Sequence, residues 1–143
     1  MKVFITIMAL LLASGVAQAA PILELTAGMH RIEAEVASDN AARATGLMNR
    51  SAMPMHRGML FVFPEPGVQC FWMKNTLIPL SIAFLDDSGR IVQIADMQPQ
   101  SLDNHCALKP VRFALEMNAG WFRSRGLAPG AKINGLDKAP PAR

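Results

Sequence analysis

The segment Gln69–Leu80, QCFWMKNTLIPL, places an amine, an amide and a hydroxyl inside an otherwise apolar run. Polar side chains in such a run need partners, because burying them unpaired is costly. Arginine and lysine bind carboxylate or phosphate, whereas asparagine and threonine hydrogen-bond to hydroxyl groups. Together these residue types suit an acidic or sugar-like ligand. The predicted ligand-binding set is Lys74, Asn75, Thr76, Arg50 and Glu116.

The same residues also have a structural interpretation. Glu116 would then form an ion pair with Arg50 or Lys74, and Asn75 and Thr76 would satisfy backbone groups at a corner of a sheet. The two interpretations differ in whether Lys74 and Glu116 lie at the base of an open concavity or under other side chains.

An enzymatic alternative uses Glu116 as an acid/base and Lys74 to stabilise developing charge, with envelope glycans or related small molecules as substrates. The three histidines lie in no recognisable nucleophile motif. The sequence therefore assigns no catalytic residue, and it favours a protein that is not an enzyme.

Methionines offer a second alternative, a copper site. Met53, Met55 and His56 combine soft thioethers with an imidazole, a ligand set that suits Cu(I). Methionine is also a common filler of protein cores. The main interpretation therefore includes no metal and no cofactor.

The N-terminus has the pattern of a secretory signal peptide. One lysine precedes an apolar run, and Ala17 and Ala19 fit the positions before a cleavage site. The run is too short for a membrane span. We expect cleavage after Ala19, a single globular domain over residues 20–136 and a flexible tail over 137–143. The protein would be periplasmic or secreted.

Two cysteines, Cys70 and Cys106, lie in the predicted mature chain. An even number of cysteines in an exported protein predicts a disulfide, and two cysteines allow one pairing. They are 36 positions apart and do not form a CxxC motif, so we interpret them as a structural disulfide.

Charge composition argues against nucleic acid as a partner. The net charge of +3 falls to +2 without Lys2, and basic residues are interspersed with acidic ones. Nucleic-acid binding needs clustered cations. Of the two tryptophans, Trp72 is predicted to lie in the core, and Trp121 at the surface beside Arg123 or Arg125. The sequence leaves the oligomeric state open.

Hydrophobic periodicity predicts a mainly β fold. We expect an antiparallel sandwich or small barrel of about seven or eight strands with two short helices. The predicted elements are a hairpin in Ile22–Val36, a helix Asn40–Asn49, a strand Gly58–Phe63, a turn Pro64–Gly67, a strand from Cys70 to Met73, a hairpin Leu80–Leu85 and Arg90–Ala95, a loop Met97–Asn104, a strand Val111–Met117, a helix up to Arg125 and a short strand Ala131–Ile133.

Three motifs resemble the domain of unknown function 192 family. They are RATGLMNR with RGMLFVFPEPG, FWMKNTLIPLSIAFLDDSGRIV, and RFALEMNAGWFRSRGLAPG. The resemblance implies a compact, mostly β domain that is often exported, and it implies no reaction. The recurring positions of the family include all five predicted ligand-binding residues. This chain has Ser81 where many members carry aspartate, which argues against a pair of catalytic carboxylates.

The sequence thus predicts an exported cell-envelope domain that binds a small acidic or sugar-like ligand or serves as an accessory protein. The enzyme and the copper protein remain the alternatives.

Overall fold

The computed structural model describes residues 19–143, and its fold is mainly β as predicted. The predicted signal peptide, apart from Ala19, lies outside the described residues. The strands are β1 (Ile22–Ala27), β2 (His30–Ala37), β3 (Arg57–Gly67), β4 (Cys70–Phe71), β5 (Leu80–Leu85), β6 (Ile91–Met97), β7 (His105–Cys106) and β8 (Val111–Asn118). The helices are α1 (Asn40–Thr45), α2 (Trp121–Ser124) and a 3-10 turn (Leu136–Lys138).

Six strands form one sheet in the order β1-β2-β3-β8-β5-β6, while β4 and β7 form a second, two-stranded sheet. The pairs are antiparallel except β2 and β3, which run parallel because the connection containing α1 crosses over between them. Within residues 19–143 the sheet does not close into a barrel. The result is a layered β structure rather than the barrel alternative.

Both faces of the six-stranded sheet are buried, because alternate side chains of each strand point to opposite sides. One face packs against α2 and the segment after it, and the other against the β4–β7 layer and the loop after α1. The first core includes Leu25, Ile32, Leu60, Leu115, Trp121 and Ile133. The second core includes Leu47, Phe61, Met73, Ile82, Phe84 and Met97.

The turn residues place the two hairpins where the sequence predicts them. β1 and β2 pair around Gly28, which has a φ of 58°. β5 and β6 pair around the Asp86–Gly89 turn, in which the backbone N–H of Gly89 donates to the carbonyl of Asp86 at 2.9 Å. The Asp86 side chain also accepts from the backbone N–H of Ser88 at 3.0 Å. This aspartate is therefore a turn residue.

Helix α1 is shorter than predicted. Asp39 caps its start by accepting a hydrogen bond from the backbone N–H of Ala42 at 2.8 Å. The helix ends at Thr45 because Gly46 has a φ of 48°, a left-handed value that glycine adopts without strain. The prediction of a helix through Asn49 with Gly46 inside it is wrong.

Two further local predictions are wrong. Pro64–Gly67 is not a turn: β3 continues through it with a shift of register between Val62 and Gly67, since the prolines have no N–H for the ladder. Ala131–Ile133 is not a strand, since Lys132 forms a single bridge with Arg90.

The segment 137–143 packs along the domain. The backbone N–H of Arg143 donates to the carbonyl of Ser38 at 2.7 Å, and Ala139 and Ala142 contact the first core. The flexibility of this segment stays a prediction.

The predicted disulfide is confirmed. Cys70 and Cys106 face each other across β4 and β7 and are bonded. These strands pair over two residue positions each, so the bond joins a very short ladder. Beneath it, the ring of Phe71 packs edge-on against Phe61 and Phe84.

Replacing both cysteines by alanine should lower the free energy of unfolding by about 4 kcal/mol, because the open chain regains the entropy of a long loop. Urea denaturation of the oxidised protein and of the double variant measures the difference. The reduced wild type should match the variant, and equal midpoints for oxidised wild type and variant would contradict the expectation.

Candidate functional site

A cavity of about 250 Å³ opens between the loop after α1, the start of β4 and the middle of β8. We call it the Glu116 cavity. Its lining residues are Arg43, Ala44, Thr45, Gly46, Leu47, Met48, Phe61, Phe63, Cys70, Phe71, Trp72, Thr76 and Glu116. Two of the five predicted ligand-binding residues, Thr76 and Glu116, are among them.

Glu116 contributes a buried carboxyl group to this cavity. It lies on β8 between Met59 of β3 and Ile82 of β5, and 4% of its surface is exposed. Burial raises its pKa from an ordinary 4.5 to about 8. Among residues 19–143, neither a hydrogen bond nor an ion pair offsets this effect. A carboxyl group with this pKa is mostly protonated at pH 7.

Thr76 reaches the cavity because the chain turns sharply before it. Its backbone N–H donates to the carbonyl of Met73 at 3.1 Å, and its hydroxyl donates to the carbonyl of Lys74 at 3.2 Å. Asn75, within this turn, has a φ of 53°, a left-handed value that asparagine tolerates better than most residues.

Asn75 joins the two loops that border the cavity. Its carbonyl accepts a hydrogen bond from the backbone N–H of Asn49 at 2.8 Å, and Asn49 also has a positive φ of 64°. The structure thus gives Asn75 a positioning contact through its backbone, and its side chain is not part of the cavity lining.

Lys74 lies outside the cavity lining and does not pair with Glu116. Its ammonium group sits over the ring of Trp72, 5.2 Å from the centroid. Trp72 is 47% exposed and borders the cavity. The prediction that Trp72 is a core residue is wrong, because β4 belongs to an outer layer with one face open to solvent.

Arg50 is paired with another carboxylate. Its Nη2 lies 2.6 Å from Oε2 of Glu35, although the pair lacks hydrogen-bond geometry. Glu35, Met59 and Glu116 occupy one row across β2, β3 and β8, so their side chains share a face of the sheet. Arg50 therefore pairs with Glu35 in this row and not with Glu116.

Arg43 lines the cavity and is the residue that the sequence analysis missed. Its guanidinium donates to the carbonyl of Val62 at 2.8 Å, to a carboxylate oxygen of the last residue, Arg143, at 2.9 Å, and to the side chain of Asn40 at 2.7 Å. It also lies 5.4 Å from the ring centroid of Phe63. Its position in the RATGLMNR motif is a signal that could have indicated it.

The other tryptophan is the buried one. Trp121 is 1% exposed, so the prediction of a surface position is wrong. The expected stacking with Arg125 is present, at 4.3 Å from the ring centroid.

The residues of the copper alternative lie apart from the Glu116 cavity. Met53 packs against the second core, Met55 is 55% exposed, and Nε2 of His56 lies 3.4 Å from Oε2 of Glu33. In the described part of the chain, no group of three or more histidine, cysteine, aspartate or glutamate residues is arranged to hold a metal ion. Copper binding through methionine stays a prediction.

A larger cavity of about 660 Å³ lies against the segment 136–142, and Phe63 lines both cavities. Its Arg112 and Asp87 already pair with each other at 3.0 Å. The Glu116 cavity is the better candidate because it contains a carboxyl group that is 4% exposed and has no hydrogen bond or ion pair to another residue of 19–143.

The family model for domain of unknown function 192, described as "Uncharacterized ACR", matches residues 22–135. The chain therefore belongs to this family, as its motifs predict. A comparison with curated proteins found no match. Among residues 19–143, the helices are all too short to cross a membrane.

Two solved structures are similar to this chain. A Sinorhizobium meliloti 1021 protein, described as a candidate transcription regulator, is 34% identical with a TM-score of 0.78, covering 85% of this chain and 98% of its own. A Novosphingobium aromaticivorans DSM 12444 protein of unknown function is 31% identical with a TM-score of 0.73, covering 88% of this chain and 91% of its own.

Glu116 should make the protein less stable as the pH rises from about 4.5 to about 8. In this window the unfolded chain loses the proton that the folded protein keeps, so the free energy of unfolding falls by about 1.4 kcal/mol per pH unit. Glu116→Gln should remove this slope and stabilise the protein at pH 7 by on the order of a few kcal/mol.

Chemical denaturation of both proteins from pH 5 to pH 8 measures the difference, and the three histidines cancel in the comparison. Glu24→Gln, at an exposed glutamate on β1, is the matched control and should follow the wild type. A wild-type slope that survives in Glu116→Gln would show that Glu116 is not the group responsible.

Proposed function

We propose that this protein is an exported cell-envelope domain that binds a small acidic or sugar-like ligand in the Glu116 cavity. The observation that supports the proposal most is the carboxyl group of Glu116, which lines an open cavity, is 4% exposed and has no polar partner among residues 19–143.

A purely structural role explains this group poorly. A buried polar group without a partner destabilises a fold, and an apolar side chain would serve the core better at this position. Residues that reduce the stability of the fold and have no structural role are characteristic of functional sites. A ligand that hydrogen-bonds to Glu116 would satisfy the group and recover part of the cost.

The lining suits a small ligand with both polar and apolar faces. A neutral carboxyl group donates one hydrogen bond and accepts others, and the hydroxyl of Thr76 adds a second polar group. Phe63, Phe71 and Trp72 supply aromatic surface. Hydroxyl groups beside a hydrocarbon face, as in a sugar ring, match this combination. The volume is below the roughly 300–1,000 Å³ of drug-sized sites, which favours a ligand of one small unit.

Export is supported by the disulfide. A bond between Cys70 and Cys106 persists in oxidising compartments and is rare in the cytosol. It agrees with the signal-peptide pattern of the first nineteen residues.

An enzymatic function is the second candidate, and the pKa of Glu116 favours it. A carboxyl group with a pKa of about 8 is protonated at neutral pH and can act as a general acid. Glycoside hydrolysis requires a second carboxylate. Glu35 shares the sheet face but is paired with Arg50, so binding without turnover is the function that the site supports better.

A thermal-shift screen followed by calorimetry tests the proposal, using sugars, uronic acids and small carboxylic acids as probes. A ligand should raise the melting temperature of the wild type, and Glu116→Leu should weaken its affinity about tenfold or more through the lost hydrogen bonds. The same variant should be more stable than the wild type at pH 7, so reduced affinity cannot be attributed to unfolding.

Glu24→Gln is again the control and should bind as the wild type does. Product analysis of the bound ligand after incubation separates binding from catalysis. Unchanged affinity in Glu116→Leu would contradict the proposed site, and ligand turnover that depends on Glu116 would establish the enzymatic alternative instead.

A further inference from the structure

Two of the thirteen residues that line the Glu116 cavity have an ionisable side chain. They are Arg43 and Glu116, since Cys70 is in the disulfide. The charge that a ligand meets in the cavity therefore depends on how these two groups are compensated.

The guanidinium of Arg43 has an anionic partner within the chain. It donates to a carboxylate oxygen of the last residue, Arg143, at 2.9 Å. Two further hydrogen bonds go to the carbonyl of Val62 at 2.8 Å and to the side chain of Asn40 at 2.7 Å. The carboxylate offsets the positive charge, and the three bonds together hold the guanidinium in place.

The surroundings of Glu116 keep its carboxyl group uncharged. Its neighbours across the sheet are Met59 and Ile82, and 4% of its surface is exposed. From residue 19 onward, no cation lies within ion-pair distance of it. Ionising an isolated carboxyl group in such a place costs free energy, so the group is mostly protonated at pH 7.

The other two cations of the predicted ligand-binding set do not line the cavity. Arg50 pairs with Glu35. The ammonium group of Lys74 sits over the ring of Trp72, 5.2 Å from the centroid. Neither cation is therefore positioned to bind an acidic group inside the cavity.

Charged ligands of either sign are therefore disfavoured. An acidic ligand would have to displace the carboxylate of Arg143 from Arg43, or else lie among aromatic rings without a counter-charge. A ligand with an ammonium group would require Glu116 to ionise, and it would bring a second cation into the cavity that Arg43 lines.

Hydroxyl groups avoid both difficulties. The protonated carboxyl group of Glu116 donates one hydrogen bond and accepts others, and a hydroxyl group does the same, so the two are complementary. The hydroxyl of Thr76 donates to a backbone carbonyl, and its oxygen can still accept a hydrogen bond from a ligand. Phe63, Phe71 and Trp72 supply apolar surface for the carbon skeleton.

We infer that the ligand of the Glu116 cavity is an uncharged sugar or polyol, whose hydroxyl groups exchange hydrogen bonds with Glu116 and Thr76. This inference rests on the proposed function and narrows its ligand class from acidic or sugar-like to neutral polyhydroxy compounds. It excludes uronic acids and amino sugars, which share the ring of a neutral sugar and differ from it in charge.

Sugars that share one ring and differ in charge test the inference by calorimetry at pH 6.5. The first series is glucose, glucuronate and glucosamine, and the second is galactose, galacturonate and galactosamine. In at least one series the wild type should bind the neutral sugar about tenfold or more tightly than the acid and the amine, because burying a charge without compensation costs free energy.

Variants of Glu116 show whether a charge at this position contributes to binding. Glu116→Gln should keep the preference for the neutral sugar, because an uncharged amide also donates and accepts hydrogen bonds. Glu116→Leu should bind that sugar about tenfold or more weakly, since leucine offers no hydrogen bond. Glu24→Gln is the control and should behave as the wild type. Amide NMR spectra establish that each variant is folded.

The outcomes separate this inference from the proposed function. If the acid or the amine binds as tightly as the neutral sugar in both series, or if Glu116→Gln abolishes the preference, the inference is overturned while the binding function stands. If no sugar of either series binds, the inference is overturned, and the proposed function then depends on the small carboxylic acids of the thermal-shift screen.

Discussion

The carboxyl group of Glu116 lies inside the protein with no charged partner among residues 19–143, and this constraint organises the site around it. A carboxylate there would be desolvated among Met59, Ile82 and the aromatic wall. Because burial disfavours the charged form, the pKa rises to about 8 and the carboxyl group keeps its proton at lower pH. A neutral acid can donate a hydrogen bond as well as accept one. The ligand chemistry that we propose for the cavity follows from this property.

The fold positions Glu116 at a cavity because short segments, joined by a hydrogen bond and a disulfide, cover one face of the six-stranded sheet. Asn49 and Asn75 adopt left-handed backbone conformations and are joined by a hydrogen bond, which links the loop after α1 to the turn before Thr76. The disulfide ties β4 to β7, and Phe71 anchors this outer layer in the second core. The cavity is the space left between these coverings and β8. Its lining therefore combines residues that are distant in sequence.

Much of the fold is predictable from the sequence because local chemistry determines it. Asp86–Gly89 specifies a hairpin, Asp39 caps a helix, and an even number of cysteines in a chain with a signal-peptide pattern gives one disulfide. The parallel pairing of β2 with β3 is not visible in the periodicity, because a strand alternates in the same way with either neighbour. The exposures of the two tryptophans are the reverse of those that the sequence predicts, because burial depends on the layer in which each residue lies. Trp72 follows apolar residues but lies just after the two-residue strand β4 of an outer layer, while Trp121 packs beneath Arg125. The site is also only partly predictable. Thr76 and Glu116 are predicted from the sequence and line one cavity. The third polar residue, Arg43, has the local sequence of a solvated helix residue.

The charge state of Glu116 is the claim on which the proposed site depends most directly. Carbon-13 NMR of a sample labelled at the glutamate side-chain carboxyl can follow this group through a pH titration, with Glu116→Gln identifying its resonance. The account predicts that the chemical shift of Glu116 stays that of a protonated acid at pH 7 and changes with a midpoint near pH 8. A midpoint near 4.5, the ordinary value for glutamate, would contradict it.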